Sequence, residues 1–271
     1  MEHHTVTSQH SKNLIAYFVL ACAISWAIEI PLALAKQGIV QPIFPQWVHY
    51  FLSYRPMLSA LIVTWATQGQ QGLKELWGRI TRWRVGGIWW LAALSPLIIG
   101  FVMVVAMNLF TNNIISLSEL GVVPFLPPLG IGALFLWILT SGLGEEIGWR
   151  GYALPRLQKD HNALYSTLIL TVFWALWHVP LFFYLFDPAI AFGWIFALYT
   201  GAIVFTWLLN STAGSILIVA VFHGCFNYMT SSNAGNGLLA TVVSIIVMVW
   251  AVVVILVYRP RTLSRKGKFV V

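Results

Sequence analysis

Apolar residues run through this chain in eight blocks, at 14–35, 47–67, 88–110, 129–150, 163–185, 190–210, 213–230 and 237–258. Shorter stretches between them hold most of the polar residues. Each block is close to the roughly 20 residues that a helix needs to cross a bilayer. The last is the cleanest, because Leu238 to Tyr258 contains no charge. No internal repeat, heptad seam or low-complexity linker breaks the pattern, so residues 1–271 are expected to form one membrane-embedded domain. The expected fold class is all-α, a polytopic membrane helical bundle of about eight transmembrane helices. Ala33-Leu34-Ala35 at the end of the first block resembles a signal-peptidase site. That block is long for a signal sequence, carries Glu29 and follows a single Lys, so a retained first helix is expected.

Composition agrees. The chain is 59% hydrophobic and 8% charged, where soluble domains run near about 25% charged. A water-soluble globule is excluded. The +7 charge would raise nucleic acid as a partner in a soluble protein, but no soluble basic module is left to bind it. When eight spans are threaded, 13 basic residues fall on the side of both termini and Lys36 alone opposite, with Arg55 inside the second span. This places both termini in the cytoplasm and fits a bacterial inner membrane. The stretch 72–85, GLKELWGRITRWRV, reads either as an amphipathic helix on an anionic leaflet or as a solvated basic loop. Cys22 and Cys225 lie inside apolar runs and are expected to be free thiols.

Ionisable groups inside a bilayer are costly, so each is a functional candidate. The set is Glu29, Arg55, Glu145, Glu146, Arg150, His178 and His223. Five of them fall in three patterns: Glu145-Glu146-Ile147-Gly148-Trp149-Arg150, then Phe173-Trp174-Ala175-Leu176-Trp177-His178, then His223-Gly224-Cys225-Phe226-Asn227. On a helix, Glu146 and Arg150 are neighbours and can pair, while Glu145 points about 100° away. His223 and Asn227 share one face. A desolvated Glu can act as a general base toward water. A histidine can share that proton or bind a metal, and an amide and an imidazole can donate to an oxyanion. At 1.5 Å rise per residue the three patterns can meet in one layer. Glu145, His178 and His223 also match the ligand types of an open zinc site, so a divalent metal such as zinc stays an open cofactor. Glu29 and Arg55 are candidates for an interhelical pair. The aromatic residues around the fifth block read as packing and interfacial belt.

The three patterns in this order resemble the CPBP family of intramembrane proteases, which takes in CAAX prenyl endopeptidases and bacteriocin-processing or immunity (Abi-type) proteins. The family pattern is EExxxR, FxxxH and HxxxN or HxxxD on an eight-helix core, and the match covers roughly residues 130–230. The resemblance implies that Glu145 and His178 activate water, that His223 and Asn227 form the oxyanion site, and that Glu146 and Arg150 brace the helix end. Trp174 stands where the pattern has Phe. An aromatic ring is retained, so no effect on catalysis is expected. The implied function is an intramembrane endopeptidase acting on a membrane protein or peptide within the lipid bilayer, metal-dependent or metal-free. A non-proteolytic membrane scaffold or immunity protein is the alternative, with the polar residues serving as interhelical glue. A proton-coupled transporter fits less well, since no pair of broken half-helices is evident.

Overall fold

Each apolar block folds as a helical rod in the computed structural model, which describes residues 2–112, 114–235 and 237–271; no strand occurs among them. In chain order the rods are α1 (Glu2–Lys36), α2 (Arg55–Ile80), α3 (Gly87–Phe110), α4 (132–160), α5 (Ala163–His178), α6 (Ala191–Ser211), α7 (Ile216–Thr230) and α8 (Leu238–Thr262). A helix satisfies its own backbone where lipid offers no hydrogen bonds. Side chains take over at the ends: Asn162 accepts from the Tyr165 N–H to start α5, and Ser215 from the Ile218 N–H to start α7.

Among the described residues five spans are long and apolar enough to cross a membrane: Ser11–Lys36, Gly87–Phe110, Ala163–Phe183, Pro188–Ser211 and Leu238–Thr262. Of the other three rods, α7 has 15 residues, α2 carries the polar run Thr67 to Gln71, and α4 carries Glu145, Glu146 and Arg150. The protein is an integral membrane helical bundle. Its first helix is a full member of it. Tyr17 is buried against Trp149 and Tyr152 of α4, with ring centroids 5.6 and 4.9 Å away, and Trp177 of α5 donates to the Ser25 hydroxyl at 2.5 Å.

The 72–85 stretch combines its two expected characters. Helix α2 breaks at Gly69, which takes φ 59° and ψ −151°, and then continues to Ile80. Leu76 and Arg79 turn inward and are buried, with the Arg79 guanidinium on the Gly151 carbonyl at 2.7 Å, while Trp77 faces outward. Loops after α2, α4 and α6 meet the chain after α8 at one end of the bundle. There the Gln158 and Asn210 amides pair in both directions at 3.0 and 2.8 Å. Lys268 donates to the His161 carbonyl, and Arg82 to that of Ala213. Most of the basic residues gather at this end. Arg150, threaded with them, is instead fully buried in α4, because Glu146 and two aromatic rings hold it inside. Cys22 and Cys225 are free thiols.

Helix α4 is the centre of the arrangement. It is π-helical over Ile138–Glu145 and again over Ile147–Ala153, a geometry found mostly at functional sites. Its glycines let neighbouring backbones close in. A Cβ at Gly142 would lie 2.5 Å from the Ala220 carbonyl oxygen of α7, and one at Gly148 would lie 2.6 Å from the Pro56 carbonyl of α2. The carboxylates between these glycines are thereby walled in by three other rods.

Candidate active site

Two adjacent carboxylates on α4 face different partners, as their angular offset requires. Glu146 is fully buried. Its Oε1 lies 3.0 Å from an Arg150 nitrogen one turn on, and 2.9 Å from Nδ1 of His223 on α7. The other Arg150 nitrogens, Nε and one terminal amine, make no hydrogen bond. The guanidinium lies instead between two aromatic rings, 4.2 Å from the Trp174 centroid and 4.7 Å from that of Phe205. Ring quadrupoles attract the cation there, and the paired carboxylate offsets part of its desolvation.

Glu145 turns toward α5, where its Oε2 accepts the indole N–H of Trp174 at 2.9 Å. Among the described residues no hydrogen bond reaches its Oε1. His178 closes α5, with Nδ1 2.7 Å from the Trp174 carbonyl oxygen. A carbonyl only accepts, so Nδ1 carries the proton and Nε2 of the neutral ring keeps its lone pair. Trp177 and Trp194 pack the ring in place at 4.6 and 5.1 Å. His223 sits in mid-α7, its ring 5.9 Å from that of Trp174 and 5.2 Å from that of Phe205. Asn227 is half-buried one turn further along the same face, and its carboxamide makes no hydrogen bond among the described residues.

The structure thus brings Glu145, Glu146, Arg150, His178 and His223 around Trp174, with Asn227 placed by helical spacing. Other expectations change. Glu146, assigned to bracing the helix, also holds His223. Glu29 and Arg55 do not form an ion pair. Glu29 is buried with Oε2 unpartnered, Arg55 Nε is likewise unpartnered, and both ion pairs among the described residues belong to Glu146. The zinc-type set also fails. No group of three His, Cys, Asp or Glu side chains among the described residues is arranged to hold a metal. Glu145, His178 and His223 are oriented instead by Trp174 and Glu146. The indole N–H of Trp174 was not anticipated, although the departure from Phe was its visible signal.

Residues 127–229, which carry all of these groups, match the family described as type II CAAX prenyl endopeptidase Rce1-like. Within the chain, 53 residues are 42% identical to a protein named CAAX prenyl protease 2 from Methanococcus maripaludis. That alignment covers 20% of this chain and 19% of the relative, so the chain matches about a fifth of the curated relative's length. The match agrees with the CPBP resemblance of the three motifs, and it lies in the rods that build the polar cluster.

Proposed function

We propose that the chain is an intramembrane endopeptidase that hydrolyses a peptide bond in a membrane-associated or lipid-anchored protein or peptide. The observation that carries this reading is the convergence of Glu145, His178 and His223, from three helices, on one aromatic centre in the bundle interior. Glu145 Oε1 and His178 Nε2 remain to take a proton from water attacking the scissile carbonyl. His223 keeps Nδ1–H on the Glu146 carboxylate. A second proton on that ring makes Nε2 a donor, with Glu146 balancing the charge, and the Asn227 amide supplies the other donor to the oxyanion. Arg150 holds Glu146 in place. The residues do not fit a metal, and no step runs through one. The name of the Methanococcus maripaludis relative, a CAAX prenyl protease, supports a lipid-anchored substrate. Basic residues collected at one end of the bundle support cytoplasmic termini in a bacterial inner membrane.

The test is cleavage of a quenched-fluorescent peptide library by purified protein in nanodiscs, with Glu145→Gln and His223→Ala alongside the wild type. Cleavage lost in both variants establishes the protease and its site. Equal cleavage in all three overturns the site. The buried Glu146–Arg150–His223 network also suits a scaffold in which polar residues are glue. Such a scaffold would keep its partner binding in Glu145→Gln, which preserves volume and removes only charge.

A further inference from the structure

We infer that Trp174 is a positioning residue for both members of the water-activating pair, and that the site uses its indole N–H and not its ring alone. The inference rests on the proteolytic reading above and adds a residue to it. One residue, Trp174, makes three contacts within the cluster. Its indole N–H is 2.9 Å from Glu145 Oε2, its carbonyl oxygen is 2.7 Å from His178 Nδ1, and its ring face lies 4.2 Å from the Arg150 guanidinium. The side chain is buried, so no water competes for the N–H.

Each contact has a separate consequence. The N–H fixes the Glu145 carboxylate by one oxygen and leaves Oε1 as the oxygen that takes a proton. The carbonyl fixes the His178 tautomer with Nε2 as the acceptor. This second contact follows from helical spacing, since residue 178 lies one turn after residue 174 and its ring folds back onto that carbonyl. The two acceptors facing the water are therefore oriented by one residue, and the alignment of reacting groups is a large part of what a site contributes to rate.

The ring contacts separate from the hydrogen bond. A phenylalanine at 174, the residue of the motif that this chain resembles, would keep an aromatic face over Arg150 and the His178 contact to the main chain. It would leave Glu145 Oε2 buried without a donor and the carboxylate free to rotate. An N–H to a charged acceptor is among the stronger hydrogen bonds in a protein, and its loss in a dry site is expected to cost the reaction rather than the fold.

The experiment pairs kinetics with a direct view of the bond. In Trp174→Phe, kcat is expected to fall about 10- to 100-fold with KM within about twofold of wild type. In protein labelled with 15N at the indole nitrogens, the one of 14 tryptophan signals that disappears in Trp174→Phe is expected to move in Glu145→Gln. It should stay in place in Glu119→Gln, a substitution in the loop after α3. Trp174→Tyr supplies the same assignment if the Phe variant does not fold. Wild-type cleavage that survives Trp174→Phe at full kcat overturns the inference alone, as does an indole signal unmoved in Glu145→Gln. Absence of cleavage by the wild type overturns the proteolytic reading on which it rests.

Discussion

Helices α3 and α8 meet the requirements for a membrane span, and they place large side chains such as Phe101, Val105, Val252 and Leu256 on the outside. Helices α4 and α7 do not meet those requirements, and they hold most of the candidate site. Ser141, Glu145, Glu146 and Arg150 on α4 and His223 on α7 are all buried. The difference lies in what surrounds each pair. A lipid-facing helix must be apolar because hydrocarbon cannot satisfy a charge, whereas an enclosed helix is solvated by its neighbours and can carry ion pairs if each is matched. Of the three rods that look least like membrane spans, α7 and the carboxylate-bearing part of α4 are enclosed by their neighbours, whereas α2 leaves Ile62, Trp65 and Trp77 exposed.

Substitutions can break this contrast, and the largest effect is expected on α4. Glu145→Gln should lower cleavage about 10³-fold while thermal unfolding in detergent stays at the wild-type midpoint; a large shift in that midpoint would make Glu145 structural instead. Arg150→Ala strands the Glu146 charge in the interior. It should cost about 3–5 kcal/mol in equilibrium unfolding, and adding Glu146→Gln should recover part of the loss.

Packing comes next. Gly142→Ala pushes a methyl onto the Ala220 carbonyl and should cost about 1–3 kcal/mol, whereas Gly193→Ala on α6, where a Cβ meets nothing within 4 Å, should leave the unfolding curve in place. On α8, Leu256→Ala should stay within about 0.5 kcal/mol of wild type, since lipid replaces the lost contacts; a larger loss would show that this face is covered. The smallest effect is expected from a chelator. With no metal-holding group among the described residues, saturating chelator should leave the cleavage rate unchanged, and inhibition reversed by zinc would contradict the geometry.

The eight blocks were legible as helices because hydropathy averages over a whole segment, although α1 begins well before its block and α2 and α4 run well past theirs into polar sequence. The three motifs were legible because their charges are costly in lipid and therefore conspicuous. Trp174 was only half legible. Its ring was expected to serve as an aromatic filler, but the N–H of that ring has Glu145 as its partner. Glu29 and Arg55 were conspicuous for the same reason as the motif residues, yet they do not pair, because charge in a span reveals cost and not distance.

By itself, then, the sequence determined that the chain lives in a bilayer as a helical bundle, and that its candidate site residues come from the fourth, fifth and seventh rods. Both follow from the solvent, which sets the length and apolarity of a span one residue at a time. Only the tertiary structure decided which carboxylate meets which histidine, that Arg150 lies between Trp174 and Phe205, and that Trp174 holds Glu145 by its indole N–H and His178 by its main-chain carbonyl. Hydrogen bonds act over about 3 Å and depend on how each helix is rotated. The π-helical turns of α4 change that rotation in a way no hydropathy pattern records.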